Sequence, residues 1–145
     1  MTRRTALAAL SLLLGTALTA QAQEPALEGT IARFAKSWSQ GDAGGVASFL
    51  AAAGVSLDLE GGRRTGPLSS RQAAAALRRV FEDYETVSVR SGMVRIVGGT
   101  PQRAFGELDW VVRARGTTDT ERRVVFVALV REERGWRVTH IRLLR

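Results

Sequence analysis

The stretch Arg123-Val-Val-Phe-Val-Ala-Leu-Val-Arg131 decides the fold of this chain of 145 residues. Every residue between its two arginines is apolar, which is typical of a central strand whose two faces are both covered. The turn Glu132-Glu-Arg-Gly135 follows, and its glycine can adopt the positive φ that a tight hairpin needs. Residues 136–144 then return as the next strand. We expect helices on one face of this hairpin and a second subunit on the other.

Further strands are predicted upstream, where apolar and polar residues alternate. Residues 55–60 alternate strictly, Gly61-Gly62 turns the chain, and residues 63–68 form a short return strand that Pro67 limits. Two more strands are predicted near residues 86–91 and 104–114, and a glycine-rich loop at residues 98–101 joins them. With the hairpin, the sheet is expected to hold four to six strands.

Two helices are predicted before the first strand. Apolar residues recur every three or four positions from Leu27 to Trp38, with Pro25 in the first turn and Gly41 at the end. Asp42 can cap a second helix, whose apolar residues extend to Ala53.

A third helix is predicted between the second and third strands. Ser69 and Gln72 form a capping box at its start, and the apolar stripe that follows runs to about Tyr84. The chain therefore has the pattern of an α+β domain, with three N-terminal helices packed on a mostly antiparallel sheet.

The first residues have the pattern of a secretory signal peptide. Arg3 and Arg4 precede an apolar run over residues 6–20, and Ala20-Gln-Ala22 is a small-x-small cleavage site. A membrane-spanning helix needs about 20 apolar residues, and this run is shorter. We therefore expect cleavage after Ala22, a single domain over residues 23–145, no membrane anchor after cleavage, and a periplasmic or secreted location. Residues 2–7 resemble a twin-arginine signal only faintly, which favours the general secretory route.

Composition excludes several classes of function. The formal net charge is +7, and +5 without residues 1–22, but the charges are spread along the chain and mixed with acids, unlike the basic stripe of a nucleic-acid-binding protein. A single histidine and no cysteine argue against a zinc or copper site, a disulfide framework and a lipid anchor on cysteine. In addition, no glycine-rich phosphate loop follows a strand. From these observations together we expect no metal and no cofactor.

Three motifs carry a resemblance to a known family. Trp38-Ser-Gln-Gly41-Asp42, Gly66-Pro-Leu-Ser-Ser-Arg71-Gln72-Ala73 and Gly135-Trp136-Arg137-Val138 resemble, in this order, segments of the nuclear-transport-factor-2-like (NTF2-like) superfamily. This superfamily includes ketosteroid isomerase and polyketide-cyclase-like proteins. The likeness covers residues 23–145 and is closest to small exported bacterial members with no assigned activity. It implies a cone, in which a curved sheet wraps the helices and leaves a pocket at its mouth.

The resemblance also directs attention to polar residues that could reach such a pocket, because family enzymes place an Asp, Glu, His or Tyr there for proton transfer. The candidates are Tyr84, Asp109, Trp110, His140 and Arg142. Tyr84 ends the third helix, where its hydroxyl is expected in water.

Strand alternation makes further predictions for the other candidates. If Trp110 faces the core, Asp109 faces the opposite side of the sheet. His140, the only histidine, is expected on the same face as Trp136, Val138 and Arg142.

Three functions stay open at this point. The first is a non-enzymatic module that binds a small apolar or anionic ligand, or forms a homodimer through its sheet. The second is a small lyase or isomerase of the ketosteroid-isomerase type, with Asp109 or His140 as general base. The third is a structural domain with a filled cone. An enzyme needs at least two polar groups that converge on one apolar cavity. The positions of Asp109 and His140 in the fold therefore discriminate among the three functions.

Overall fold

A computed structural model of the chain describes the backbone of residues 14–60 and 63–145 and the side chains of residues 24–60 and 63–145. In this part of the chain the elements are α1 (Leu14–Ser39), α2 (Ala43–Ala47), β1 (Val55–Asp58), β2 (Arg64–Leu68), α3 (Ser70–Asp83), β3 (Tyr84–Gly98), β4 (Arg103–Ala114), β5 (Thr120–Glu132) and β6 (Gly135–Leu144). Residues 1–13 of the predicted signal peptide and the turn at Gly61-Gly62 lie outside the described residues.

The strands form one curved sheet in the order β2-β1-β6-β5-β4-β3. Neighbouring strands are antiparallel except for β1 and β6, which are parallel. The three helices pack on one face, called the inner face here, and the opposite face is called the outer face. The predicted α+β organisation is confirmed, with six strands. Among the described residues, no helix combines the length and the apolar character that crossing a bilayer requires.

The core lies between the helices and the inner face. Leu27, Ile31, Phe34 and Trp38 of α1 are buried as predicted, and so are Ala73, Leu77, Val80 and Phe81 of α3. Opposite them, β4 and β5 contribute inner-face residues that are also buried, namely Leu108, Trp110, Val112, Val125, Val127 and Leu129. Each large apolar side chain buried in this way stabilises the fold by about 1.5–3 kcal/mol.

Helix α1 is longer than predicted. Pro25 was expected in its first turn, but α1 begins at Leu14 and Pro25 lies inside the helix. Residues 14–22, predicted as part of the signal peptide, form the preceding turns. Inside the helix, Pro25 removes one backbone hydrogen bond, because proline has no N–H. If cleavage after Ala22 made Gln23 the N-terminus, Pro25 would lie in the first turn and would remove none.

Helix α2 is shorter than predicted. It is capped by Asp42, whose Oδ1 accepts from the Gly45 N–H at 2.9 Å, but it ends at Ala47 rather than near Ala53. The chain leaves the helix because its backbone pairs with β6. The N–H of Val138 donates to the carbonyl of Phe49, and the N–H of Ala51 donates to the carbonyl of Val138, both at 2.8 Å.

Bulges change two of the predicted strands, β3 and β6. Strand β3 extends to Gly98 instead of ending near Ser91, because a bulge between Ser91 and Val94 accommodates the intervening residues without ending the ladder. A second bulge lies in β6. Val138 pairs with Leu129 and His140 pairs with Ala128, so Thr139 is an extra residue.

The bulge at Thr139 reverses the alternation of β6. Trp136 and Val138 are buried on the inner face before it, and Ile141 is buried on the inner face after it. His140 and Arg142 therefore point to the outer face. The prediction that His140 shares a face with Trp136 and Val138 is wrong for this reason.

The capping box of α3 gives the first testable prediction. The Gln72 N–H donates to Ser69 Oγ at 3.3 Å, and the Ser69 N–H donates to Gln72 Oε1 at 3.0 Å. We expect Ser69→Ala to lower the free energy of unfolding by about 1 kcal/mol. The exposed neighbour Ser70 is the control, and Ser70→Ala should change it by less than about 0.5 kcal/mol. Urea denaturation measures both, and equal losses would show that the cap contributes nothing.

Candidate functional site

Arg123 is a buried charge on the inner face of the central strand. It continues the inward alternation of Val125, and it lies opposite Trp110 of β4. Its side chain is 4% exposed. A buried guanidinium is destabilising unless other groups compensate its charge and occupy its donors, so its surroundings determine what this end of the fold can do.

Three side chains from different elements surround Arg123. Glu60 follows β1, Tyr84 begins β3, and Glu121 lies two residues earlier on β5. Arg123 donates from Nε to Glu121 Oε1 at 2.6 Å, from Nη2 to Tyr84 Oη at 2.9 Å, and from Nη1 to Glu60 Oε1. Tyr84 in turn donates its hydroxyl proton to Glu60 Oε1 at 2.6 Å. We call these four residues the Arg123 cluster.

The cluster shifts the pKa values of its members. Burial by itself raises the pKa of the Glu60 carboxyl, but the hydrogen bonds from Tyr84 and Arg123 outweigh it, and the pKa lies below its usual value. The pKa of Tyr84 is raised, first because its hydroxyl donates to Glu60 and then because it is partly buried. Tyr84 therefore stays protonated at neutral pH, as a hydrogen-bond donor and not as a base.

The environment of Tyr84 differs from the prediction. Its hydroxyl was expected in water, whereas the structure gives it a carboxylate acceptor and a guanidinium donor. Its ring also meets the edge of Trp110, with 6.1 Å between the ring centroids. Trp110 is fully buried, and its Nε1 donates to Thr86 Oγ1 at 2.9 Å. The Arg123 cluster therefore covers one end of the aromatic core.

A cleft of about 410 Å³ lies beside the Arg123 cluster, between the end of β1 and the end of β6. Glu60 and Arg123 line one side, and Asp58 and Arg142 line the other. Asp58 is itself buried and accepts from Arg142 Nε at 3.0 Å. Glu60 and Asp58 thus compensate Arg123 and Arg142, and Arg145 also lines the cleft. A ligand would have to displace a carboxylate to reach Arg123.

His140 lies on the outer face, next to β1. Its backbone pairs with Ser56, and its Nε2 is buried without a hydrogen-bond partner among the described residues. The pKa of His140 is lowered, first by burial and then by the positive charge of Arg64, although Asp58 acts in the opposite direction. The imidazole is therefore neutral at neutral pH.

Asp109 faces the outer side, as the alternation with Trp110 predicts. Its Oδ1 lies 3.5 Å from Arg122 Nε in an exposed ion pair. Asp109 and His140 share the outer face, but β5 lies between their strands and the pairing offsets them by four residues. Standard strand dimensions put them roughly 15 Å apart. The structure does not bring these two candidates together, and neither faces the aromatic interior.

Three residues of the Arg123 cluster are not among the candidates predicted from the sequence, namely Glu60, Glu121 and Arg123. A signal for Arg123 was present, because it has the same parity as Val125, Val127 and Leu129, and an inward-facing arginine requires acidic partners. No comparable pattern identifies the partners. In the part of the chain that the structure describes, no three His, Asp or Glu side chains converge as a metal-binding group.

Comparison with known proteins supports the fold. No protein-family model and no curated protein matches the chain. Similar solved structures include an NTF2-like protein with a cystatin-like fold from Novosphingobium aromaticivorans, with 16% identity, a TM-score of 0.64, and coverage of 93% of this chain and 90% of that chain. A ketosteroid isomerase-like protein from Erwinia carotovora atroseptica has 14% identity and a TM-score of 0.66, covering 82% of this chain and 92% of that chain.

A third similar structure is a domain of unknown function with a cystatin-like fold from Nostoc punctiforme. It has 18% identity and a TM-score of 0.66, with coverage of 86% of this chain and 77% of that chain. Identities this low establish the fold alone. The chain has the NTF2-like fold, and the predicted resemblance is confirmed at that level.

The hydrogen bond from Tyr84 to Glu60 gives the second prediction. Tyr84 is the only tyrosine, so tyrosinate absorbance reports this residue alone. We expect its pKa to lie above 10.0 in the folded protein and to fall in the Glu60→Gln variant, which removes the carboxylate acceptor. Because the folded pKa is raised, this stabilisation is fully present below the unfolded pKa and disappears as the pH rises through the folded pKa.

Glu85→Gln is the matched control, because Glu85 lies next to Tyr84 but pairs with Arg113 at 3.8 Å. Its tyrosine titration should coincide with that of the unsubstituted protein. A titration midpoint that does not move in Glu60→Gln would contradict the hydrogen bond.

Proposed function

We propose that this chain is exported and acts without catalysis, as an interaction module that forms a homodimer through the outer face of its sheet. The observation that carries the proposal is the central strand β5. Its residues alternate between Val125, Val127 and Leu129 on the inner face and Val124, Phe126, Ala128 and Val130 on the outer face. The inner set is buried, whereas the outer set is only partly covered.

The apolar area of the outer face extends onto β4. Phe105 stacks on Phe126 across the two strands, with 5.8 Å between the ring centroids. Both rings line a hollow of about 510 Å³ that reaches Ala128 and His140. We call Phe105, Val124, Phe126, Ala128 and Val130 the outer apolar patch. A contiguous apolar patch of this kind marks an interaction surface when charged residues surround it.

Charges of both signs surround the outer apolar patch. Glu107 and Asp109 lie on β4, and Arg122 and Arg142 lie on the two neighbouring strands. Two-fold symmetry brings a surface into contact with the same surface of a second copy. A patch with acids on one side and arginines on the other can therefore pair with itself. These features favour a second copy as the partner.

The ketosteroid-isomerase-type reaction has less support from the geometry. Asp109 and His140, its candidate bases, lie on the outer face in separate surroundings. The interior that such an enzyme would use holds Phe34, Trp38 and Trp110, which are buried. A small apolar ligand inside the cone lacks support for the same reason.

Export gives the third prediction. If residues 3–22 act as a signal peptide, the protein recovered from the periplasm of an expression host should begin at Gln23, which intact-mass spectrometry measures directly. Replacement of Ala20 and Ala22 by leucine should block cleavage, because the peptidase requires small residues at these positions. Recovery of the intact chain, or of protein only in the cytoplasm, would contradict export.

Homodimer formation gives the fourth prediction. Light scattering over a concentration series should give the mass of two copies for the exported protein. Phe126→Glu should give one copy, because it buries an unpaired charge in the outer apolar patch. Val124→Glu is a second variant of the same surface.

The control is Val87→Glu, which places the same charge on β3 at a position that is 49% exposed. It should stay dimeric. A monomer at all concentrations for the unsubstituted protein, with unchanged circular dichroism, would refute the proposal.

A further inference from the structure

We propose that a cleft between α1 and the β5–β6 hairpin binds phosphate groups, either on a soluble organic phosphate or on a lipid headgroup. The cleft has a volume of about 510 Å³ and is lined by Arg33, Arg131, Arg134 and Arg137. We call it the arginine cleft. It lies at the opposite end of β5 from Arg123, eight residues along the strand, which corresponds to about 27 Å. The site is separate from the outer apolar patch and does not depend on dimerisation.

Among the described residues, the four arginines of the cleft form no ion pair with a carboxylate. The part of the chain that the structure describes contains every Asp and Glu, and its ion pairs involve Arg113, Arg122, Arg123 and Arg142. None of them involves an arginine of the cleft. Glu132 and Glu133 line a neighbouring groove, which shares Arg134 and Arg137, but they do not line the arginine cleft. The cleft therefore concentrates positive charge that the protein itself leaves uncompensated.

Contacts with other residues that line the cleft position three of the guanidinium groups. Arg137 donates from Nη1 to the carbonyl of Ser48 at 2.8 Å. The Arg131 guanidinium carbon lies 5.9 Å from the centre of the Trp136 ring. The side chain of Arg33 folds back over its own helix onto Gly29. Its Nη1 lies 3.5 Å from the position that a Cβ would have if residue 29 carried a side chain. Side chains that are already positioned lose less entropy when they bind a ligand.

Trp136 supplies a local reporter of the cleft. Its ring lines the cleft and is only 3% exposed, and its Nε1 is buried without a hydrogen-bond partner among the described residues. The Nε1 of Trp38 in the core is unpaired in the same way, so the missing partner alone does not indicate a ligand. The ring does pack against Arg131, so an anion bound to Arg131 would change its surroundings.

The chemistry of the cleft selects phosphate over a simple carboxylate. Guanidinium groups present paired donors that match the oxygens of a phosphate, and charge-assisted bonds of this kind are the strong ones. A single carboxylate compensates one positive charge, whereas a phosphate monoester or a diphosphate carries two or more negative charges. Four arginines that form no ion pair among the described residues therefore favour a ligand with at least two negative charges.

The test is a calorimetric titration of the exported protein with inorganic pyrophosphate, which is the fifth prediction. We expect saturable binding of one pyrophosphate per chain. Arg33→Gln combined with Arg131→Gln should weaken binding by about tenfold to a hundredfold, because it removes hydrogen bonds to a charged ligand. The matched control is Arg78→Gln with Arg79→Gln, two exposed arginines of α3. The control removes the same net charge far from the cleft and should leave the affinity unchanged.

Trp136 offers a local readout of the same titration. Its indole N–H resonance, assigned by its loss in Trp136→Phe, should shift on addition of pyrophosphate, while the indole resonances of Trp38 and Trp110 should stay in place. Circular dichroism of the Arg33→Gln and Arg131→Gln variant should be unchanged, since the substitutions remove charges that have no acidic partner.

Vesicles distinguish the two sources of phosphate. Sedimentation with vesicles that contain phosphatidic acid, whose headgroup is a phosphate monoester, identifies a lipid headgroup if it is lost in the Arg33→Gln and Arg131→Gln variant, kept in the control, and not accompanied by pyrophosphate binding. Pyrophosphate binding without vesicle binding identifies a soluble phosphate. Binding of neither probe, or an equal loss in the α3 control, overturns the proposal. The latter result would show that only net charge attracts the anion.

Discussion

Trp38 lies where α1, α3 and β4 meet, and the packing of the domain depends on it. Its ring centroid is 5.9 Å from that of Phe34, 5.1 Å from that of Phe81 and 5.4 Å from that of Trp110. The pair with Phe34 is stacked and the other two are edge-to-face, and aromatic pairs in these arrangements add about 0.5–1.5 kcal/mol each to the apolar burial. Because these rings occupy the space between the helices and the inner face of the sheet, the interior is a core. The surfaces that remain for binding are the outer face and the two ends of the central strand.

The two ends of β5 show how differently the same residue type is used. Arg123 is buried, and Glu60 and Glu121 compensate its charge. At the other end Arg131 packs against Trp136 and has no acidic partner among the described residues. A charge that must enter the core needs partners from the protein, whereas a charge at the edge of a cleft can keep its binding capacity because water solvates it until a ligand arrives. The protein itself occupies the donors of the first arginine, whereas the second keeps donors for the ligand that we propose.

Local periodicity was sufficient to predict much of the fold. The apolar spacing of α1 and α3, the capping box at Ser69 and the apolar hairpin all depend on residues close together in sequence. The bulge at Thr139 could not be predicted in this way, since it arises from the pairing of β6 with β5, and it changed the face of His140 and Arg142. The Arg123 cluster was missed for a similar reason. Glu60 and Tyr84 are 63 and 39 residues away from Arg123 in the sequence, and only the folded chain brings them together.

The bulge at Thr139 also bears on how this domain can diverge. In a regular strand, a substitution changes the side chain at one position and leaves the orientation of its neighbours intact. Deletion of the one extra residue would leave a regular ladder, in which Val138 and Ile141 still face inward and His140 and Arg142 still face outward. If Thr139 instead took a regular place in the ladder, the end of β6 would turn over, with His140 and Arg142 facing inward and Ile141 and Leu143 facing outward. The bulge therefore lets the last strand carry one residue more than its partner requires without exchanging its apolar and polar faces.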